Sequence, residues 1–167
     1  MTDLPAPAFF DTCAIKHRYL RTKCSRQVNQ VIGRKGRKSY IADWTIVEFQ
    51  STLAQMIRAW PPTLTKPEFD PIMLRFFGDI ASGRLIVMES SRRRLLRAGQ
   101  LIRQVSAMKG GRLRTGDALV AMAALDLAIE SEHRVLFYTA DKDLHAVITG
   151  FDAFRTTLES RYIVQSK

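Results

Sequence analysis

The chain predicts an α/β fold: three layers, α/β/α, with a mostly parallel central sheet of four to five strands. Three observations lead there. Short runs rich in aromatic and β-branched residues (Ala8-Phe9-Phe10, Ser39-Tyr40-Ile41-Ala42, Arg84-Leu85-Ile86-Val87-Met88 and Arg134-Val135-Leu136-Phe137-Tyr138-Thr139) read as buried strands. Longer stretches with apolar residues at helical spacing separate them. Strand alternating with helix is the pattern of a parallel sheet covered on both faces, whose ligands collect at the carboxyl ends of the strands.

Taken in order, Ala8 to Phe10 ends on a carboxylate, Asp11, and Thr12 to Tyr19 is helix-compatible. Between residues 12 and 43 nine side chains are basic and one, Asp43, is acidic, and Gly33 and Gly36 make the later part of this segment a mobile loop. A helix is expected from Thr45 to Trp60, where Pro61-Pro62 stops it, and another from Glu68 to Ser82. A long basic helix runs from Ser91 to Met108 and closes at Gly110-Gly111. Leu95, Ala98, Leu101, Ile102, Val105 and Met108 form its apolar stripe, with Arg93, Arg97, Gln100 and Gln104 opposite. Between Ala118 and Ile129 only Asp126 is charged, so the helix from Thr115 to Glu132 is buried almost all round, with Thr115 as N-cap and Asp126 as a paired acid. A short helix, Asp141 to Ile148, follows the fourth strand, and the tail from Phe154 to Val164 supplies the last one. Trp44, Trp60, Phe76 and Phe77 fall at helical positions and are expected in the core.

With 167 residues the chain is long enough for one domain with a proper core, and no repeat or linker divides 1–167. Lys+Arg 26 against Asp+Glu 16 gives +10, a surplus that attracts polyanions, of which nucleic acid is the commonest in cells. Two segments, 12–43 and 92–114, hold 17 of the 26 bases. Cys13 and Cys24 have no metal-finger spacing and fit a reducing cytosol. The N-terminus lacks the pattern of a secretory leader and no apolar run approaches a membrane span, so a cytoplasmic protein without membrane contact is expected. The glycines form no phosphate-cradling loop.

The acids carry the functional reading. Asp11 ends the first strand, Glu48 lies in the first turn of the next long helix, Asp117 opens the apolar helix and Asp141 follows the fourth strand, with Asp143 close behind. Each has a structural reading as a cap, and Thr45 with Glu48 has capping-box spacing. A cap contributes roughly 1 kcal/mol, whereas two carboxylates about 4 Å apart repel by roughly 1–4 kcal/mol. Acids gathered on one sheet edge would therefore protonate or hold a cation, and oxygen-only ligands select Mg²⁺ or Mn²⁺.

Phe9-Phe10-Asp11-Thr12, Val47-Glu48-Phe49, Gly116-Asp117-Ala118-Leu119 and Tyr138-Thr139-Ala140-Asp141-Lys142-Asp143-Leu144 resemble the acidic motifs of PIN domains, in the right order and over nearly the whole chain. The VapC-like toxin branch is the nearest match. The resemblance implies a PIN-like fold with a basic insertion at about 21–38, and a Mg²⁺- or Mn²⁺-dependent ribonuclease. It also implies a cognate antitoxin and a homodimer. Asp11, Glu48, Asp117 and Asp141 match the catalytic, metal-binding acids, Asp143 an additional metal acid, and Thr12 and Thr139 supporting hydroxyls. Lys16, Arg18, Arg93 and Arg97 are candidates for the RNA backbone. The alternatives are an RNA- or DNA-processing PIN nuclease without an antitoxin, and a non-catalytic basic nucleic-acid-binding module.

Overall fold

Aromatic and β-branched runs with no charged members become four of the five strands, as the sequence leads one to expect, and the tail strand carries Glu159 and Arg161. In the computed structural model, which describes residues 5–108 and 110–163, the order is β1 (Ala8–Phe10), α1 (Thr12–Tyr19), α2 (Ser25–Ile32), β2 (Ser39–Ala42), α3 (Asp43–Arg58), α4 (Lys66–Ala81), β3 (Ile86–Met88), α5 (Arg92–Ser106), α6 (Thr115–Ser131), β4 (Val135–Thr139), α7 (Lys142–Gly150), α8 (Asp152–Arg155) and β5 (Leu158–Tyr162). The expected tail strand is β5; Val164 lies outside the described residues. Every strand pairing is parallel, in the spatial order β3-β2-β1-β4-β5. Each crossover carries two helices, so α1 to α4 cover one face and α5 to α8 the other.

Alternation along the strands feeds two cores. Phe9 stacks on Phe137 on one face, centroids 6.1 Å apart, and the next residues, Phe10 and Tyr138, stack on the other at 5.0 Å. The first core receives the buried α6 with Ala98, Leu101 and Val105 of α5 and Leu144 and Ile148 of α7. The second receives Ile15 and Tyr19 of α1, Val28 and Ile32 of α2, Phe49 and Leu53 of α3, and Phe76 of α4. Among the described residues no helix is long and apolar enough to cross a membrane.

The differences from expectation have local causes. The segment expected as a loop contains α2, whose Val28 and Ile32, four apart, bury one stripe while the surrounding charge faces water. The fourth crossover gains the short helix α8. α3 begins two residues early, at Asp43, because that carboxylate accepts from the backbone N–H and hydroxyl of Ser90 and ties the start of the helix to the loop after β3. Leu95 on α5 and Met108 beyond its end are exposed, and an inward position is taken by Arg94, 5% exposed. Its guanidinium Nε donates to Asp126 at 2.7 Å, with Arg97 Nη1 on the other carboxylate oxygen at 2.5 Å, so Asp126 is a paired acid as expected. Of the aromatics expected inside, only Phe76 is in the core. Trp60 is 96% exposed because it lies beyond the α3 C-cap, Ala59, where no further layer covers it, and Trp44 and Phe77 are also exposed.

Gly116, in the first turn of α6, is required by packing. A Cβ there would stand 2.4 Å from the Trp44 indole nitrogen, so the ring lies directly on the bare backbone. Gly116→Ala is expected to lower stability by about 1–3 kcal/mol, the usual cost of overpacking, in thermal melts. In a Trp44→Ala background, where the ring is gone, the same change should cost little or stabilise.

Candidate active site

The strand order turns back between β1 and β4, which places the loops after these two central strands side by side at a topological switch point. Asp11 follows β1 and is 3% exposed. It caps α1, Oδ1 accepting from the Ala14 N–H at 2.6 Å, while Oδ2 accepts from the Thr139 hydroxyl at 2.5 Å. That hydroxyl in turn accepts from the Asp141 N–H at 2.9 Å. Asp141 caps α7 through Oδ1, which accepts from the N–H groups of Asp143 and Leu144. The capping reading of both residues is therefore true. It uses one oxygen of Asp141.

Glu48 differs from its expected setting. Since α3 starts at Asp43 with Ala42 as N-cap, Glu48 lies in the second turn and Thr45 is a buried residue inside the helix, so no capping box forms. Instead the Thr12 hydroxyl, from α1, donates to Glu48 Oε2 at 2.5 Å. Asp117 is in the first turn of α6, whose N-cap is Arg114 and not Thr115; the Asp117 carboxylate accepts from the Arg114 backbone.

These carboxylates feel one another. Burial above all pushes Asp11 up to about 7, against the bonds from Thr139 and Ala14, with repulsion from Asp117 and Glu48 adding to it. Burial, then repulsion from Asp141 and Glu48, pushes Asp117 up to about 6, with Arg114 opposing. Asp143 is exposed and offers Asp141 its backbone N–H. Burial, then the charge of Asp11, raises the Cys13 thiol to about 12, which excludes a thiolate nucleophile at neutral pH. Among the described residues no group of three or more Asp, Glu, His or Cys side chains is placed so that it could hold a metal ion as the side chains stand. The donor set is oxygen-only, and the four acids have no ion-pair partner among the described residues.

The basic candidates separate. Lys16 adjoins the acids, its charge acting on Cys13, and Arg93 is exposed. Arg18 is held by Asp79 at 2.5 Å and by Asn29 at 2.8 Å, and Arg97 by Asp126, so both charges are already engaged. Arg114, the last base of the 92–114 segment and three residues before Asp117, is the one whose charge acts on the acids. His145 bonds Ser160 at 2.8 Å through Nδ1.

Comparison with protein-family models finds no match, and comparison with curated proteins finds none. Among solved structures, the chain is similar to one in the crystal structure of VapBC2 from Rickettsia felis bound to a DNA fragment from their promoter. The TM-score is 0.62 at 14% identity, over 93% of this chain and 98% of that one. It is also similar to a chain in the structure of VapBC-5 from Mycobacterium tuberculosis, a member of the VapBC family of toxin-antitoxin systems. There the TM-score is 0.58, again at 14% identity, over 95% and 100%. The likeness extends over nearly the whole of each chain, and in fold this protein is a PIN-like α/β/α domain of the kind those structures contain.

Proposed function

We propose that the chain is a metal-dependent endoribonuclease of the cytoplasm, the toxin of a toxin–antitoxin pair, acting as a homodimer held in check by its antitoxin. One contrast carries the reading. The two other largely buried acids, Asp79 and Asp126, are each gripped by two arginines. Asp11, Glu48, Asp117 and Asp141 come from four separate segments, repel one another, and have no such partner among the described residues. Repulsion without a compensating cation is a cost that a fold retains when a ligand relieves it.

Asp11, Glu48, Asp117 and Asp141 would hold Mg²⁺ or Mn²⁺, with Asp143 at the rim. Bound there, the ion lowers the pKa of a water and offsets charge building on the scissile phosphate. The chain's own part is positioning: Thr139 fixes Asp11, Thr12 fixes Glu48, and the α7 N-terminus fixes Asp141. Lys16 and Arg114 bring positive charge to the rim, where an RNA phosphate must approach acids that would otherwise repel it.

A second reading, a basic nucleic-acid-binding module without catalysis, is favoured by the caps that Asp11 and Asp141 do form. Calorimetric titration with Mn²⁺ separates the two. Wild type is expected to give saturable heat and Asp117→Asn none, with melting raised on the order of 5–10 °C at a hundredfold excess over Kd. A flat wild-type trace overturns the nuclease reading.

A further inference from the structure

We infer that the groove between α2 and the β5 edge of the sheet, lined by Arg34, Arg37, Arg161 and Tyr162, binds single-stranded RNA beside the acidic site. This rests on the ribonuclease reading and names where the substrate strand runs. The groove has a volume of about 560 Å³, inside the roughly 300–1,000 Å³ range of ligand sites. Its wall holds three guanidiniums and no carboxylate, together with Gln27, Ser160, Tyr138 and Tyr162.

The guanidiniums are placed by the fold. Gly36 adopts φ +77°, which lets the Arg37 N–H close a turn on the Arg34 carbonyl at 3.1 Å and sets the two arginines side by side. Arg37 Nε is buried with no hydrogen-bond partner among the described residues, a donor whose desolvation is uncompensated until an acceptor arrives. Arg161, on β5, also touches Glu159. Tyr138 is buried against Phe10, so the ring left for stacking is that of Tyr162, whose other neighbour is His145 at 5.3 Å.

Phosphate-binding guanidiniums next to an aromatic face are the combination that single strands require. The groove lies one residue along β4 from the acid site, for Tyr138 precedes Thr139 and its carbonyl accepts the Asp11 N–H at 3.1 Å. The other arginine-lined cleft, about 380 Å³ beside Arg93, Arg94 and Arg97, has Glu89, Asp126 and Glu130 in its wall and two of its guanidiniums already hold Asp126. That wall balances three acids against three guanidiniums, whereas the groove beside β5 keeps Arg34 and Arg37 in excess even with Arg161 on Glu159.

Fluorescence anisotropy of a short labelled oligouridylate, with divalent ions chelated so that the RNA stays intact, tests this. The double variant Arg34→Ala/Arg37→Ala is expected to weaken binding about tenfold and to reduce the salt slope by about 1.4, the loss of two single-strand phosphate contacts. Tyr162→Ala should weaken binding with the slope unchanged, and Tyr162→Phe should restore it. The charge-matched pair Arg134→Ala/Arg155→Ala, from the start of β4 and from α8, should bind as wild type does, and melting curves verify that each variant folds. Equal weakening in both arginine pairs, or none in the first, overturns the groove assignment alone when wild type still cleaves RNA with Mn²⁺. Displacement of the RNA by polyglutamate at equal charge makes the occupant an acidic polypeptide and also overturns it. Failure of wild type to bind or cleave RNA at all removes the ribonuclease reading, and the groove with it.

Discussion

Asp11→Asn is expected to abolish cation-dependent RNA cleavage and, at the same time, to make the cation-free protein more stable at pH 8. The sign follows from the raised carboxylate. Burial pushes the Asp11 carboxyl up to about 7 in the folded chain, against an ordinary value of 3.8. Between these values the folded state keeps a proton that the unfolded state has released, so stability falls as pH rises from about 4 to about 7 and is level above. By pH 8 the buried charge costs on the order of 4 kcal/mol, using about 1.4 kcal/mol per unit. An amide avoids that cost. Its oxygen still accepts from the Ala14 N–H, and its NH₂ can donate to the Thr139 hydroxyl, which retains a free acceptor position. Denaturant melts at pH 5 and pH 8 would show wild type losing stability between them and the variant losing less, the remainder belonging to Asp117, which burial and its acidic neighbours push up to about 6. Cleavage should fall by roughly 10³-fold or more, the several kcal/mol expected when a metal-holding acid is removed. A variant that melts lower than wild type at pH 8 without cation refutes the electrostatic account.

Asp79→Ala is expected to destabilise the chain by about 3–5 kcal/mol, on the order of 10 °C in melting temperature. Asp79 accepts from Arg18 Nε at 2.5 Å, the Tyr19 hydroxyl at 2.8 Å and Arg84 Nη1 at 2.5 Å, from the end of α4. Burial works to raise its pKa, but the bonds from Arg18, Tyr19 and Arg84 outweigh this and hold the carboxyl below its ordinary value. Its contribution is therefore present at neutral pH and lost in acid, as pH falls through that lowered value, the reverse of Asp11. Removing only the acid strands the Arg18 guanidinium and the Tyr19 hydroxyl. Arg18→Met with Asp79→Leu removes both partners and should restore most of the loss, since well-packed apolar pairs replace buried ion pairs at little cost. If the double variant melts no higher than Asp79→Ala, the interaction is not what the single variant measures.

The two acids show what can be read from one dimension. Asp11 was legible because it follows an apolar run and begins a helix, both local signals, and the parallel order of the strands then carries Asp141 to its side. The strands were legible for the same reason, being covered on both faces and so nearly free of charge. Asp79 and Arg94 were not. Their burial depends on partners 61 and 32 residues away, and nothing near them in sequence marks a charged residue that will face inward. The spacing of Thr45 and Glu48 misled because a capping box is a local pattern, and the start of α3 is fixed from outside by Ser90. α2 was hidden by its charge, since only Val28 and Ile32 of its buried stripe interrupt a basic segment.

Because β1 pairs with β4, Ala8 opposite Leu136, the bond from Thr139 to Asp11 spans 128 positions. During synthesis, at about 5–20 residues per second, Asp11 leaves the ribosome some 6–26 s before Thr139 follows. Throughout that interval the nascent polypeptide holds one half of its chemistry without the other. On the proposed ribonuclease reading, an activity complete early would act on the very messages being translated, and this arrangement of strands delays the meeting of Asp11 and Thr139 until most of the domain has been made.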